Sequence, residues 1–419
     1  MTTIINNAVV LTMNANDDAY LDGTVVIDGA DITWVGPSAQ APERSGSATV
    51  IDGRGSVVLP GLVNTHTHAG LSTWRGVCDD QDFWGWVGAI APHTSILSIE
   101  EVHAGAVLAV DAMLDAGVTC ACDCTRYGAG EFADVASARG LRSLSGALAN
   151  SPELRPNGRP NWPLAREETD AAALKHADDP LARFYLGAHS PYSCTLEMVR
   201  EIVEDARARS MPFVIHLAET RRERDELAAT TGMSPAQWLD AAGALGPGTL
   251  LAHGIWLDDN DLDLIATRGA AIAHCPTSNA KLASGIAPLK AMSDRGITVG
   301  LGTDSMLSNN AQNVLLEARQ ASLLQRIRSE QPWMPEAAQL LRSATIDGAR
   351  ALSWDDRIGS LEVGKAADVI AFAVQHPRGL TIDRVRSDLI YALDRADLRL
   401  VMTEGVMRRQ YSPKGNASL

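Results

Sequence analysis

The chain has 419 residues, of which 46% are hydrophobic and 21% are charged, as is usual for a globular protein. Its net charge of −15, without a lysine- or arginine-rich cluster, speaks against nucleic acid as a partner, because phosphate binding needs a basic surface. The sequence starts without the features of a signal peptide, and no apolar run approaches the ~20 residues that span a bilayer. We therefore expect a cytoplasmic protein with no membrane partner.

The first 55 residues predict β-hairpins. Short runs at Thr3–Leu11, Thr24–Ile27 and Ile32–Val35 are separated by Asp-Gly and Gly-Pro turns. This texture ends where a longer apolar run begins at Val57.

From Val57 onward, short apolar runs alternate with amphipathic segments. Eight runs are candidate strands: Val57–Asn64, Val118–Cys124, Leu141–Leu148, Phe184–Ala188, Phe213–Leu217, Thr249–Ala252, Ala270–Ala273 and Thr298–Gly302. Helical patterns lie between them, as at Ser98–Asp115, where Ser98 and Glu101 have the spacing of a capping box. Pro235–Ala244, Asp259–Thr267 and Ala287–Arg295 also predict helices. This order predicts an α/β fold, a parallel (β/α)8 TIM barrel over residues 56–355. A doubly wound open sheet is the competitor, but no Gly-x-Gly-x-x-Gly follows the first strand.

After residue 356 the β-rich texture returns, for example at Leu398–Thr403. Because chain termini often lie close together, both ends can pair into one small β-sandwich domain. We predict three parts: residues 1–55 and 356–419 in the β-sandwich, and 56–355 in the barrel.

Histidines mark the ends of the predicted strands. His66 and His68 follow the first run one residue apart, so in a strand both imidazoles point the same way. Altogether six of the ten histidines take such positions: His66, His68, His189, His216, His253 and His274. The eighth strand ends in Gly-Thr-Asp304. Since a barrel carries its chemistry where strands end, this pattern predicts one shared site.

Ligand chemistry assigns roles within that site. His66, His68 and His216 supply three nitrogens and Asp304 a carboxylate, which leaves the open position of a hydrolytic metal site. No lysine follows the fourth strand to bridge a second ion, so we expect one divalent metal. Glu219 is the candidate proton carrier; the alternative is an exposed residue that opens the next helix. His253 and Asp304 are candidates to hold the activated water and stabilise developing negative charge.

Three tryptophans follow the first strand. Trp74, Trp84 and Trp86 lie within one short segment, and aromatic faces there would sandwich a flat ring. Packing of the loop against the barrel is the alternative. Trp74 and Trp86 are therefore candidate substrate contacts.

Five motifs carry a family resemblance. They are Pro60-Gly-Leu-Val-Asn-Thr-His-Thr-His, His216-Leu-Ala-Glu, Ala252-His-Gly, His274-Cys-Pro-Thr-Ser-Asn-Ala-Lys-Leu and Gly302-Thr-Asp-Ser. Together they resemble the cytosine deaminase-like branch of the amidohydrolase superfamily, and most of all its S-adenosylhomocysteine/methylthioadenosine deaminases and TRZ/ATZ triazine hydrolases.

The resemblance implies one Zn²⁺ or Fe²⁺ ion on His66, His68, His216 and Asp304, a proton shuttle at Glu219 and a homo-oligomer. It implies hydrolytic loss of ammonia from a purine, pterin, triazine or adenosine-type nucleoside. His189 matches a substrate-contacting histidine of the nucleoside deaminases, and we add Asn279, in the His274 motif, as a candidate contact.

The sequence departs from those deaminases at two points. Their ribose-binding glutamate is missing, since the corresponding region here is Pro92-His93-Thr94-Ser95, and an arginine of their third strand is missing near Ala147. Both departures weaken the nucleoside hypothesis. A chlorohydrolase, alkylaminohydrolase or ring amidohydrolase is the alternative on the same site. A non-catalytic relative is disfavoured because only catalysis needs Glu219.

Overall fold

The structure is a computed structural model that describes residues 1–43, 47–94, 96–155, 160–332, 335–376 and 378–411. The strands are β1 (Thr2–Leu11), β2 (Ala19–Asp28), β3 (Asp31–Pro37), β4 (Ala48–Asp52), β5 (Ser56–Pro60), β6 (Leu62–Thr67), β7 (Val118–Asp123), β8 (Arg142–Ser145), β9 (Leu148–Ala149), β10 (Ala182–Phe184), β11 (Leu186–Ala188), β12 (Phe213–Leu217), β13 (Thr249–His253), β14 (Ala271–His274), β15 (Val299–Leu301), β16 (Val369–Ala373), β17 (Leu398–Thr403) and β18 (Val406–Gln410).

The helices are α1 (Phe83–Thr94), α2 (Ile99–Leu114), α3 (Ala129–Arg139), α4 (Trp162–Lys175), α5 (Leu196–Ala208), α6 (Arg221–Thr231), α7 (Pro235–Ala241), α8 (Asp259–Arg268), α9 (Pro276–Lys281), α10 (Leu289–Asp294), α11 (Val314–Ser329), α12 (Ala337–Ser343), α13 (Ile346–Ala351) and α14 (Ile382–Tyr391). The predicted capping box at Ser98 is present, with both reciprocal hydrogen bonds to Glu101. Among the described residues, no helix has the length and apolar character needed to cross a membrane.

The two ends of the chain form one sheet. Its order is β18-β17-β16-β5-β1-β2-β3, with β4 beside β1. Alternation along β1 gives the sheet two apolar faces: Ala8 and Val10 pack in the cluster of the sheet itself, while Val9 and Leu11 pack in the barrel core. The predicted pairing of the two ends is therefore confirmed, as a single hydrogen-bonded sheet within the described residues. The domain boundaries stay predictions, and the last part, 356–419, runs past the described residues.

The parallel strands β6 to β15 form the barrel in two arcs. One arc has the order β10-β8-β7-β6 and the other β15-β14-β13-β12-β11-β9. The third and fourth barrel positions are each split, with β8 and β10 in one arc and β9 and β11 in the other. The opposite edges meet where the Asp304 amide donates to the His66 carbonyl (2.9 Å) and the Thr303 amide to Asn64 Oδ1 (3.0 Å). The predicted (β/α)8 architecture is thus confirmed.

The predicted first strand, Val57–Asn64, is divided between the two units. Its first half is β5, which pairs with β16 in the terminal sheet, and its second half is β6, in the barrel. Gly61 joins them, and a Cβ atom there would lie 2.0 Å from Thr119 Oγ1. Because only glycine permits this close approach, one apolar run serves both units.

A buried ion pair also joins the barrel to the terminal sheet. Arg142 Nε and Nη2 on β8 donate to the Asp368 carboxylate at 2.8 and 3.1 Å, and Arg142 also pairs with Glu404. The side chains of Arg142 and Asp368 are 1% and 2% exposed. The two charges are therefore buried together, and Glu404 adds a second carboxylate beside Arg142.

We expect the Arg142→Met variant to lose about 3–5 kcal/mol of unfolding free energy, because it leaves Asp368 charged and buried without its partner. Urea unfolding followed by circular dichroism measures the loss. The double variant Arg142→Met/Asp368→Asn should recover part of it; a double variant as unstable as the sum of the single variants would contradict the pairing.

Candidate active site

Three histidines converge where the barrel strands end. His66 lies on β6, His68 directly after it and His216 on β12, and each offers a ligand nitrogen within 4.8 Å of the others. The Nε2 atoms of His68 and His216 are 3.2 Å apart. Both ring nitrogens of His66 are buried without a hydrogen-bond partner among the described residues. Buried polar atoms without partners are costly, so this donor set fits a divalent metal ion.

The orientation of His216 is fixed from behind. Its Nδ1 donates to the backbone carbonyl of His189 at 2.6 Å, which leaves the Nε2 lone pair for the cluster. Burial lowers the pKa of His216, and the charges of His68 and His253 lower it further. Burial likewise lowers the pKa of His68, to about 4. The imidazoles are therefore neutral near pH 7, the form that binds a metal.

Asp304 reaches the same cluster from β15. Its Oδ1 lies 3.7 Å from His66 Nε2 and 3.6 Å from His68 Nε2. The other oxygen, Oδ2, accepts hydrogen bonds from Ser278 Oγ (2.6 Å) and Ser308 Oγ (2.8 Å). Burial raises the pKa of Asp304, but the charges of His68 and His253 and these hydroxyl groups outweigh it and lower the pKa overall. The carboxylate is therefore held ionised beside the histidines.

Left-handed backbone brings Glu219 into the site. Glu219 lies three positions after His216, so in a continuous strand the two side chains would point to opposite faces. Ala218, between them, has φ = 51°. His253 and Asp304 are left-handed too, with φ of 72° and 59°. For residues other than glycine such angles store strain, which is common where side chains are aimed at a site.

Glu219 is buried opposite His253. Its Oε2 lies 3.7 Å from His253 Nε2, and the residue is 5% exposed. Burial raises the pKa of Glu219 well above its usual range, and the negative charges of Asp304 and Glu223 raise it further. In this environment the carboxyl group of Glu219 can hold a proton near neutral pH. Its burial does not match the alternative, in which Glu219 is an exposed residue that opens the next helix.

Sequence reasoning missed Glu223, which supports this turn. Its carboxylate accepts hydrogen bonds from the backbone amides of Ala218 (3.1 Å) and Glu219 (3.0 Å), and the residue is 3% exposed. Burial raises the pKa of Glu223 to about 7. In the sequence, Glu223 is marked only by its position three residues after Thr220, the N-cap of α6. That spacing predicts an ordinary helix-capping residue and no role in the site.

Asn279 lies behind His253. Its Oδ1 accepts a hydrogen bond from His253 Nδ1 at 2.9 Å, and Asn279 is 1% exposed. With the proton held on Nδ1, the Nε2 atom of His253 faces Glu219. Asn279 is therefore placed to set the tautomer of His253 and not to touch a ligand directly.

We expect Asn279→Ala to lower kcat about 10-fold with little change in KM, because the orientation of His253 is lost while the cavity wall is kept. Steady-state kinetics separates the two constants. The conservative variant Asn279→Asp, which keeps an acceptor, should retain most of the activity. A rise in KM alone would instead support a direct substrate contact.

A cavity of about 550 Å³ opens above the cluster. Glu219, His253 and Asp304 form part of its wall, together with His189 and Trp86. His189 is held by Ser190 and Ser193, whose hydroxyl groups lie 3.2 and 3.0 Å from its Nδ1. Helix α1 contributes an apolar side of the wall. The volume of the cavity suits a small molecule.

Two predicted contacts lie away from this wall. Trp74 is absent from the described residues that line the cavity, and its ring packs against His93 at 4.9 Å, as the loop-packing alternative has it. Asn279 is screened by His253. Strand-end His274 also stays outside the wall, where burial lowers its pKa to about 4.

Two arginines on the wall were missed as well. Arg126 follows β7 by three residues, and Arg155 follows β9 by six. The signal for Arg126 was the same as for the histidines, a polar residue after a strand end. Its positive charge acts on the site, since Arg126 is among the groups that lower the pKa of His68 and His189, after burial.

A barrel with three converging histidines and two acidic side chains at its strand ends defines the class of metal-dependent hydrolases. The chain belongs to the amidohydrolase family, whose model matches residues 57–408. The resemblance stated from the motifs is thereby confirmed.

Individual relatives and solved structures agree with this class. The chain is 36% identical to the 5'-deoxyadenosine deaminase of Methanosarcina acetivorans, over 96% of this chain and 91% of that protein. It is 34% identical to the 5-methylthioadenosine/S-adenosylhomocysteine deaminase of Desulforudis audaxviator, over 97% and 94%. The zinc-bound crystal structure of an adenosine deaminase from Xanthomonas campestris has a TM-score of 0.91 at 30% identity, covering 99% of this chain and 95% of that one. Atrazine chlorohydrolase from Arthrobacter aurescens, at 24% identity and a TM-score of 0.87 over 97% and 96%, shares the fold.

Proposed function

We propose that this protein is a zinc-dependent aminohydrolase that releases ammonia from an aminated N-heterocycle. The observation that carries the proposal is the convergence of His66, His68, His216 and Asp304 beside Glu219 at the bottom of one cavity. The names of the relatives favour an adenine-type ring, and one ion suits the single three-histidine cluster found among the described residues. The expectations of a homo-oligomer and of a cytoplasmic location stay predictions.

His66, His68, His216 and Asp304 would hold the ion, which supplies Lewis-acid activation of water at neutral pH. The remaining chemistry falls to side chains of the chain itself. Glu219 takes a proton from the attacking water and delivers it to the heterocycle, so that the amino group can leave as ammonia. The overall reaction exchanges one C–NH2 group and one water for a C–OH or C=O group and one NH3.

His253 and Asp304 orient the reacting atoms. The Nε2 atom of His253, whose ring is oriented by Asn279, lies opposite Glu219 and accepts a hydrogen bond from the attacking water. Asp304, anchored by Ser278 and Ser308, accepts a hydrogen bond from the water and fixes its direction of attack. Burial of these groups strengthens each interaction, since little water competes for it.

The test is an ammonia screen on the zinc-loaded protein with aminated purines, pterins, pyrimidines, triazines and adenosine-type nucleosides, and with their chlorinated counterparts. We expect ammonia from at least one amine, in amounts equal to the hydroxylated product. Chloride or alkylamine release without ammonia from any amine would contradict the proposal and favour the chlorohydrolase or alkylaminohydrolase alternative.

A further inference from the structure

A buried glutamate lies outside the groups that carry the proposed reaction. Glu317 belongs to the first turn of α11 and is 1% exposed. It does not belong to the described residues that line the cavity, so it does not touch a ligand there. A carboxylate is costly to bury unless hydrogen bonds compensate for the lost water. The partners of Glu317 therefore indicate what its side chain does.

The Glu317 carboxylate joins two separate segments of the chain. Its Oε2 accepts a hydrogen bond from the backbone amide of Thr277 at 3.0 Å, and its Oε1 accepts one from Asn309 Nδ2 at 2.8 Å. Thr277 lies in the first turn of α9, whereas Asn309 follows β15. One side chain of α11 therefore fixes these two segments relative to each other.

The same two segments carry the hydroxyl groups that hold Asp304. Ser278 and Ser308 are the chain neighbours of the two residues that donate to Glu317. Their Oγ atoms donate to Asp304 Oδ2 at 2.6 and 2.8 Å, and both serines are fully buried. Each donor to Asp304 Oδ2 is thus one residue away from a donor to Glu317. The position of both hydroxyl groups therefore depends on the buried glutamate.

Asp304 has to be held against a strained backbone. Its φ of 59° is unfavourable for a residue other than glycine, and such strain persists only where the surroundings enforce it. Its Oδ1 lies 3.7 and 3.6 Å from the Nε2 atoms of His66 and His68. A rotation of the carboxylate would move Oδ1 away from the histidines, so the bonds to Oδ2 determine whether Asp304 can act with them.

We propose that Glu317 is a positioning residue, which orients the Asp304 carboxylate toward the histidine cluster through the two serine-bearing segments. The inference rests on the proposed function, in which Asp304 would hold the ion and directs the water. It extends the site to a side chain that touches neither metal nor substrate. The competing role is structural: Glu317 would only hold α11 against the barrel.

The test is the zinc affinity of the Glu317→Gln variant, measured by competition with a chromophoric chelator. Glutamine has the same length, but its amide oxygen is its one acceptor, so either Thr277 or Asn309 loses its partner. We expect the affinity for Zn²⁺ to fall about 10- to 100-fold, the usual cost when a metal ligand loses its outer support. Wild-type affinity in this variant would overturn the inference.

Cobalt replaces zinc to report on geometry. Bound Co²⁺ has visible absorption bands whose position and intensity depend on its coordination, and these bands should change in Glu317→Gln. In the zinc-loaded variant kcat should fall about 10-fold with little change in KM, because the cavity wall is kept. Unchanged cobalt bands together with an unchanged kcat would contradict the positioning role.

An exchange of the two bonded groups tests the contact itself. In Glu317→Gln/Asn309→Asp, the glutamine amide group can donate to the carboxylate at position 309, while its oxygen accepts from Thr277. Zinc affinity should recover in part compared with Glu317→Gln. Recovery stays partial because Asn309 Nδ2 also donates to the Thr303 carbonyl at 2.6 Å, which an aspartate cannot do. A double variant whose losses are the sum of both single variants would contradict the contact.

Ser322→Ala is the matched control for stability. Ser322 is a fully buried residue of the same helix, and its hydroxyl group pairs with the Tyr391 hydroxyl group at 2.5 Å, at the contact with α14. Its loss should lower the melting temperature while zinc affinity and kcat stay at the wild-type level. If Glu317→Gln behaved in the same way, its role would be structural and the inference refuted.

Metal binding keeps the two proposals apart, because affinity and cobalt spectra need no turnover. Weaker binding and altered bands in Glu317→Gln would support the inference even if no amine releases ammonia, an outcome that refutes the deaminase function. Unaltered metal binding would refute the inference, whatever the ammonia screen gives.

Discussion

The Glu219→Gln variant is expected to lose about 10³-fold or more in kcat while its metal content stays at the wild-type level. Glutamine has nearly the same shape, but its amide cannot take a proton from water and pass it to the ring, and such transfers contribute roughly 10²–10⁴-fold. The metal should stay because Glu219 faces His253 and lies outside the three-histidine cluster. Ammonia kinetics and atomic emission spectroscopy on the same sample measure both quantities.

A matched substitution on the same stretch of chain serves as the control. Glu226 lies on α6, is exposed and pairs with Arg222. Glu226→Gln makes the same chemical change outside the cavity and should leave kcat unchanged. If Glu219→Gln kept the wild-type rate, its role as proton carrier would be refuted.

Removal of the metal should abolish turnover and also lower stability. Dialysis against a chelator should give an inactive protein, and stoichiometric Zn²⁺ should restore activity, because without the ion the attacking water loses its Lewis-acid activation. A ligand at 100 times its Kd stabilises the native state by about 2.7 kcal/mol. The melting temperature of the chelated protein should therefore fall by several degrees.

Loss of the metal and of turnover should also follow from substitution of a single ligand. His216→Ala removes one of the three histidines of the cluster, whereas His103→Ala removes a half-exposed histidine that pairs with Glu131 on the surface. We expect the first variant to bind no zinc and lose turnover, and the second to match the wild type. Full activity in a protein shown to contain no metal would contradict the site.

How much of the site was predictable depended on the local geometry around each residue. His66 and His68 could be paired from sequence, because positions i and i+2 share a face in any strand. Their ring centroids are 4.9 Å apart in the structure. Asn279 and Trp74 could not be placed. The motif around Asn279 does not tell whether its side chain lies behind His253 or contacts the substrate. A tryptophan near the site, such as Trp74, can stack on a substrate ring or pack within its own loop.

The barrel itself was predictable because its evidence is periodic and repeated. Eight apolar runs with intervening helices are compatible with few chain topologies. Most of these runs were followed by a histidine or an aspartate. The division of the first run at Gly61 was hidden, since apolar residues look alike whether they pack in the barrel or in the terminal sheet. Only the strand pairing, with β5 beside β16 and β6 beside β7, distinguishes the two halves.

The sequence by itself determined the fold class and the identity of the candidate ligands, because alternation along strands and the chemistry of imidazole depend on residue type and spacing. Only the tertiary structure decided which side chains share the cavity. Ala218, His253 and Asp304 adopt left-handed backbone that no local preference predicts, and this geometry lets Glu219 lie opposite His253. Arg126 and Arg155, from separate strand ends, line the same wall only because the barrel closes.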